Sequence, residues 1–170
     1  MPRGPRIQVA GVCYHVTHRG NNRERIFHCP MDYRLYLELL AKYKAKYKIK
    51  IFHYSLMPNH VHFCLQPTLD NTLSRFMHGV ALTYTRKYNV TYDHVGHVWQ
   101  GRFFSRTIES DAHLIQCGEY IEANPVRAKL AVNPADYPWS SACLHLRGGW
   151  DEIVDENPFA SETVRGIPRC

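Results

Sequence analysis

At 170 residues with 45% apolar side chains, the chain has the size and composition of one domain that builds its own core without disulfide or metal staples. Its 21 Lys and Arg against 15 Asp and Glu give a net charge of +6, which favours a polyanionic partner without demanding one. The six cysteines are scattered, no long apolar run occurs and the N-terminus lacks an apolar leader core, so a disulfide scaffold, a membrane span and an exported precursor are all disfavoured and a cytoplasmic location is expected.

The chain opens with a basic arm, residues 1–10, carrying Arg3 and Arg6 between prolines and a glycine. Residues 12–17 are rich in β-formers and predict a first strand, closed by the turn Gly20-Asn21-Asn22. From Asp32 to Tyr47 the apolar positions 35, 36, 39, 40 and 43 recur at helical spacing, with Asp32 as a cap. Residues 49–56 and 60–65 read as strands joined by the short connection Met57-Pro58-Asn59, an antiparallel hairpin. Residues 72–88 predict a second helix and 98–108 a further strand. A third helix opens near Ser110, with Leu114, Cys117 and Ile121 on one side. This order of elements predicts an α+β fold of the ferredoxin-like kind, an antiparallel sheet with helices packed on one face. Residues 1–146 form the expected domain; within 139–146 a short helix is expected, and 147–170 read as a tail, acidic at Asp151, Glu152, Asp155 and Glu156.

Three segments bear chemistry. On a strand, His60 and His62 share a face about 7 Å apart, a spacing that lets two imidazoles bind one metal ion, although two surface or hydrogen-bonded histidines would read the same. On the third helix, Tyr120 and Asn124 lie four apart and so on one face. Asn before Pro also suits a helix that breaks and restarts, and a tyrosine beside Cys117 and Ile121 also suits a core. In Val98-Trp99-Gln100-Gly101-Arg102-Phe103-Phe104-Ser105-Arg106, positions 102, 104 and 106 share a strand face. That pattern fits either a surface that tracks a phosphate backbone and stacks bases or an edge strand solubilised by arginines.

Taken in order, Tyr14-His15-Val16-Thr17-His18-Arg19-Gly20-Asn21-Asn22, Met57-Pro58-Asn59-His60-Val61-His62-Phe63, Val98-Trp99-Gln100-Gly101-Arg102-Phe103-Phe104 and Tyr120-Ile121-Glu122-Ala123-Asn124-Pro125-Val126-Arg127-Ala128 resemble the REP-associated tyrosine transposases, a branch of the HUH single-tyrosine transposases, over roughly residues 3–145. The resemblance implies a bacterial, nucleoid-associated enzyme that cleaves and rejoins single-stranded hairpin DNA through a 5′-phosphotyrosine. It implies Tyr120 as nucleophile and His60, His62 and Asn124 as ligands of a divalent metal ion, Mg²⁺ or Mn²⁺. Arg3, Arg6, Arg102 and Arg106 are the candidates for DNA contacts. The REP-associated branch is expected to act as a monomer, while other relatives with one tyrosine per chain act as dimers that share sites. A hairpin-binding module without cleavage and a metal-dependent phosphohydrolase are the alternatives.

Overall fold

The computed structural model describes residues 8–157, so Arg3, Arg6 and the end of the tail lie outside it. Strands β1 (Cys13–Arg19), β2 (Ile49–Met57), β3 (His60–Pro67) and β4 (Phe104–Ile108) form one antiparallel sheet in the order β2-β3-β1-β4. Helix α1 (Pro30–Tyr47) joins β1 to β2, and α2 (Thr72–Thr91) joins β3 to β4. After the sheet come α3 (Asp111–Arg127) and the short α4 (Ala142–Arg147). This is the expected α+β, ferredoxin-like arrangement.

Side-chain alternation divides the molecule into two layers. Tyr14 and Val16 of β1, Val61, Phe63 and Leu65 of β3, and Ile49, Ile51, Tyr54 and Leu56 of β2 are buried against α1 and α2 in the larger core. Cys13, Phe52, Cys64 and Ile108 point the opposite way, and Leu114, Cys117 and Ile121 of α3 cover them in a second, smaller cluster. The two crossover helices therefore occupy the one face predicted, while α3 takes the other. The physical reason is that His15, Thr17, His60 and His62 leave only the end of that face around Cys13, Phe52, Cys64 and Ile108 apolar, enough for a single helix.

Two local readings change. Asp32 does not cap α1; Cys29 is the N-cap, and Asp32 three residues on accepts hydrogen bonds from the backbone N–H of Cys29 (3.1 Å) and His28 (2.7 Å), the reciprocal half of a capping box. The predicted strand 98–108 begins only at Phe104. Before it the chain is a loop, turned by Gly101 at φ 64°, so Arg102 does not share a strand face with Phe104 and Arg106. The described part of the tail is docked on β2. Asp155 Oδ2 accepts from Ile51 N–H (2.8 Å) and pairs with Lys44, while the Asp155 N–H donates to the Ile51 carbonyl (2.7 Å). It thereby covers an otherwise open sheet edge.

Helix α3 approaches the sheet closely because Gly118 has no side chain. A Cβ there would meet the His53 ring at 2.5–2.8 Å. His53 cannot swing aside freely, since its Nδ1 bonds the buried Glu122. Gly118→Ala is expected to cost about 1–3 kcal/mol through overpacking, read as a lower urea midpoint with an unchanged slope.

Candidate functional site

The polar half of the α3 face carries the predicted residues. Pairing of β1 with β3 sets Thr17 opposite His62 and Arg19 opposite His60, and β4 sets Arg106 opposite His15. His60 and His62 stand with ring centroids 4.9 Å apart. The His60 Nδ1–H donates to Asn59 Oδ1 (2.6 Å), and Asn59 is itself oriented by donating to the Arg23 carbonyl (3.0 Å). His62 Nδ1 lies 3.1 Å from His15 Nε2 and 3.3 Å from Thr17 Oγ1. Each histidine thus uses Nδ1 in holding its ring, and Nε2 is the nitrogen left to bind something else.

Electrostatics keep both rings in the neutral, ligand form. Burial first and then the Arg19 charge push His60 down to about 4. Burial, His60, His15 and Arg19 push His62 down to about 3. The same Arg19 charge that disfavours imidazolium here favours an approaching anion.

Helix α3 brings Tyr120 over this group. Its ring centroid lies 6.0 Å from those of both His15 and His62, edge-on to each, and Arg127 Cζ lies 4.9 Å from it on the helix. Tyr120 is 41% exposed, which excludes the core-tyrosine reading. Together with His15, Thr17, Arg19, His62, Gln100, Arg102 and Phe104 it lines a cleft of about 390 Å³.

Asn124 sits one turn beyond Tyr120, and α3 runs through Asn124-Pro125 without the break that the Asn-Pro pair permits. Pro125 has no N–H for the Ile121 carbonyl. The Asn124 amide answers this, with Nδ2 donating to the carbonyls of Tyr120 (2.9 Å) and Ile121 (3.4 Å). The amide nitrogen is thereby committed to the helix and Oδ1 is left as the outward group.

Two imidazoles and an amide oxygen are ligand types that suit a divalent cation of the Mn²⁺ or Mg²⁺ kind; of His60, His62 and Asn124, it is His62 that lines the Tyr120 cleft. Among the described residues, the trio of His and carboxylate groups close enough to hold an ion lies elsewhere. It comprises His53, Glu122 and His145, with ligand atoms within 4.8 Å of one another. Here a single oxygen, Glu122 Oε1, accepts from His53 Nδ1 (2.9 Å), His145 Nδ1 (2.5 Å) and Ser141 Oγ (2.6 Å). Burial opposes the charge of Glu122, but the three donors overcome it and hold the carboxyl at about 2. The trio is a hydrogen-bonded clamp fastening α3 to β2 and to the segment leading into α4.

The IS200-like transposase family model matches residues 8–124, more than half of the chain. The chain belongs to the IS200-like transposase family. In fold it is similar to the REP-associated tyrosine transposase solved bound to a REP hairpin, with a TM-score of 0.71 at 19% identity, covering 92% of this chain and 93% of that one. A Deinococcus radiodurans R1 protein described as a transposase is 20% identical over 72% of this chain and 96% of its own, with a TM-score of 0.49. No curated protein matches. No helix among the described residues of this transposase-family chain is long and apolar enough to cross a membrane.

Sequence spacing pointed to His60, His62 and the Tyr120 face but not to His15, Thr17, Arg19, Gln100 or Arg127 as their neighbours. Alternation in β1 marks His15, Thr17 and Arg19 as one polar face. Which residues of β3 stand opposite them depends on a register formed across the fold. Asn124→Ala is expected to cost about 1 kcal/mol by leaving the Ile121 carbonyl without its donor. Asn124→Asp is expected to cost more, because it turns an acceptor toward carbonyl oxygens. A thermal melt in which Asp is the milder change would show that the amide does not serve the helix.

Proposed function

We propose that this transposase-family chain cleaves and rejoins single-stranded DNA folded into hairpins, with Tyr120 as nucleophile. The observation that carries the reading is the approach of the half-exposed Tyr120 to His15 and His62 within one chain, beside exposed arginines. That approach also supports a site complete in a monomer. The hairpin-bound transposase that shares the fold supports a hairpin as the form of the substrate.

In this reading the Tyr120 oxygen attacks the phosphorus in line with the departing 3′ oxygen. The phosphorus–O3′ bond breaks, the new bond is a 5′-phosphotyrosine, and the proton lost by the phenol balances the one gained by the 3′-hydroxyl. Bond energy is conserved in the phosphodiester, so the reverse step rejoins strands without a nucleotide cofactor. His60, His62 and Asn124 Oδ1 would hold a divalent ion, which when bound supplies Lewis-acid polarisation of the scissile phosphate. His15 and Thr17 orient His62 through its Nδ1, the usual role of a partner behind a metal-binding imidazole. Arg102 and Arg106, exposed on either side of Phe104, are assigned to phosphate contacts together with Arg3 and Arg6 of the arm.

Incubation with labelled hairpin DNA and Mn²⁺ or Mg²⁺ is expected to give an SDS-stable adduct that Tyr120→Phe abolishes. An adduct formed by Tyr120→Phe overturns the choice of nucleophile, and cleavage with no adduct from the native chain favours a water-attacking hydrolase. His60→Ala is expected to lose cleavage while keeping hairpin binding, which rests on phosphate and base contacts. His15→Ala is expected to weaken Mn²⁺ binding by about 10- to 100-fold, measured by calorimetry, with an unchanged melting temperature in the absence of metal.

A further inference from the structure

The clamp around Glu122 is made of the residue types of a metal site. His53 of β2, Glu122 of α3 and His145 of α4 come from three separate elements, and their ligand atoms all lie within 4.8 Å of one another. Nothing in the cleavage chemistry uses them. Regular geometry is broken twice to let them meet. The bulge between Ile51 and His53 turns both Phe52 and His53 toward α3, and Gly118 omits the side chain that would strike the His53 ring.

Countercharge is what the clamp lacks. The Glu122 side chain is 10% exposed, and its three donors hold it ionised. A desolvated carboxylate is costly unless a cation neutralises it. Among the described residues its ion-pair partners are His53 and His145, and no Lys or Arg joins them. An imidazole is a cation only while protonated, so with both rings neutral the clamp carries a full negative charge and only dipoles to offset it.

A divalent ion supplies that charge and takes the same three atoms as ligands. Two imidazoles and one carboxylate are the set that zinc accepts when a fourth position stays open to water, whereas Mg²⁺ and Ca²⁺ prefer shells of oxygen. Zinc bonds of about 2.0–2.2 Å set tetrahedral ligands roughly 3.3 Å apart. Glu122 Oε1 now stands 2.9 Å from His53 Nδ1 and 2.5 Å from His145 Nδ1. The clamp has to open by less than about 1 Å. The side chain of His145 is 31% exposed, which gives an ion and a fourth, water ligand their way in. Each ring exchanges its Nδ1 proton for the ion and stays neutral by carrying a proton on Nε2. We propose that His53, Glu122 and His145 form a zinc site, separate from the histidines beneath Tyr120, and that the hydrogen-bonded clamp is its metal-free form. Zinc here would fasten α3 to β2 and α4 by coordination bonds, two residues from Tyr120. The inference stands independently of the cleavage reading.

The test titrates ZnCl₂ into the full chain carrying His60→Ala and His62→Ala, which removes the other histidine pair. Calorimetry, the melting temperature and long-range ¹H–¹⁵N spectra of the imidazoles are the readouts. One zinc per chain is expected, with a Kd of about 10 μM or tighter. Zinc in hundredfold excess over Kd is expected to raise the melting temperature by about 5–10 °C. The Nδ1 signals of His53 and His145 are expected to move, whatever the stability of further variants. His145→Gln keeps an N–H donor for Glu122 but removes a ligand. It is expected to hold the metal-free melting temperature and to weaken zinc binding by about 100-fold or more. Undiminished binding in His145→Gln, or binding that Cys143→Ser abolishes, puts the ion on other groups and overturns the site. No binding below about 1 mM, with the imidazole signals unmoved, overturns it as well and leaves the trio a hydrogen-bonded clamp only. Zinc binding at the trio in a protein whose native chain forms no adduct with hairpin DNA and Mn²⁺ upholds this site and defeats the cleavage reading alone.

Discussion

The geometry of the site depends on the buried carboxylate of Glu122. It sits on α3 midway between Tyr120 and Asn124, and its Oε1 takes three hydrogen bonds from His53 of β2 and from Ser141 and His145 at the start and within α4. Charge-assisted bonds to a desolvated carboxylate are directional and strong, and breaking one leaves a buried charge incompletely paired. The clamp therefore fixes both the depth and the rotation of α3. With Glu122 turned toward β2, helical geometry turns Tyr120 toward β1 and β3, where the histidines stand. Gly118, one turn earlier, lets the helix come close enough for the clamp to close.

The sheet supplies the other half of the constraint. Alternation along β1 and β3 gives the α1/α2 face Tyr14, Val16, Val61, Phe63 and Leu65, all buried, and gives the opposite face His15, Thr17, His60 and His62. A shift of one residue in the β1–β3 register would exchange the two sets, placing imidazoles in the larger core. The hydrophobic core and the polar site are thus two consequences of a single pairing, and the apolar residues enforce the arrangement of the histidines.

These facts divide what the residues announce from what they conceal. Periodicity is local, so the helices near 32–47, 72–88 and 110 onward, the hairpin around Pro58, and the shared faces of His60 with His62 and of Tyr120 with Asn124 are all legible in the chain. The strand predicted over 98–108 was misread because its alternating composition serves a different purpose. Val98, Trp99 and Phe103 are buried from a loop, and Gly101 turns the backbone where a strand would continue. The Glu122 clamp joins residues 53, 122, 141 and 145, and no spacing rule links positions so far apart. The same holds for His15 behind His62, which exists only once β1 and β3 are paired. The side of the sheet taken by α3 follows from the small apolar group Cys13, Phe52, Cys64 and Ile108. That group is visible only after the bulge between Ile51 and His53 has set the faces of β2.

The loop that defeated the strand reading is also the element that joins the Tyr120 cleft to a second, larger cavity beside α2. Gln100 and Arg102 face both, while Trp99 and Phe103 on either side anchor the loop in the core. Backbone bonds tie it to the end of β1, since Asn21 N–H donates to the Val98 carbonyl and Gln100 N–H to the Arg19 carbonyl, both at 2.9 Å. Arg19 therefore contributes twice. Its side-chain charge bears on His60 and His62, and its carbonyl fixes the loop that carries Arg102. Regular secondary structure would have spread residues 98–104 evenly over two faces. An irregular, well-anchored loop instead holds a cation and an amide at the junction between the Tyr120 cleft and the larger cavity beside α2.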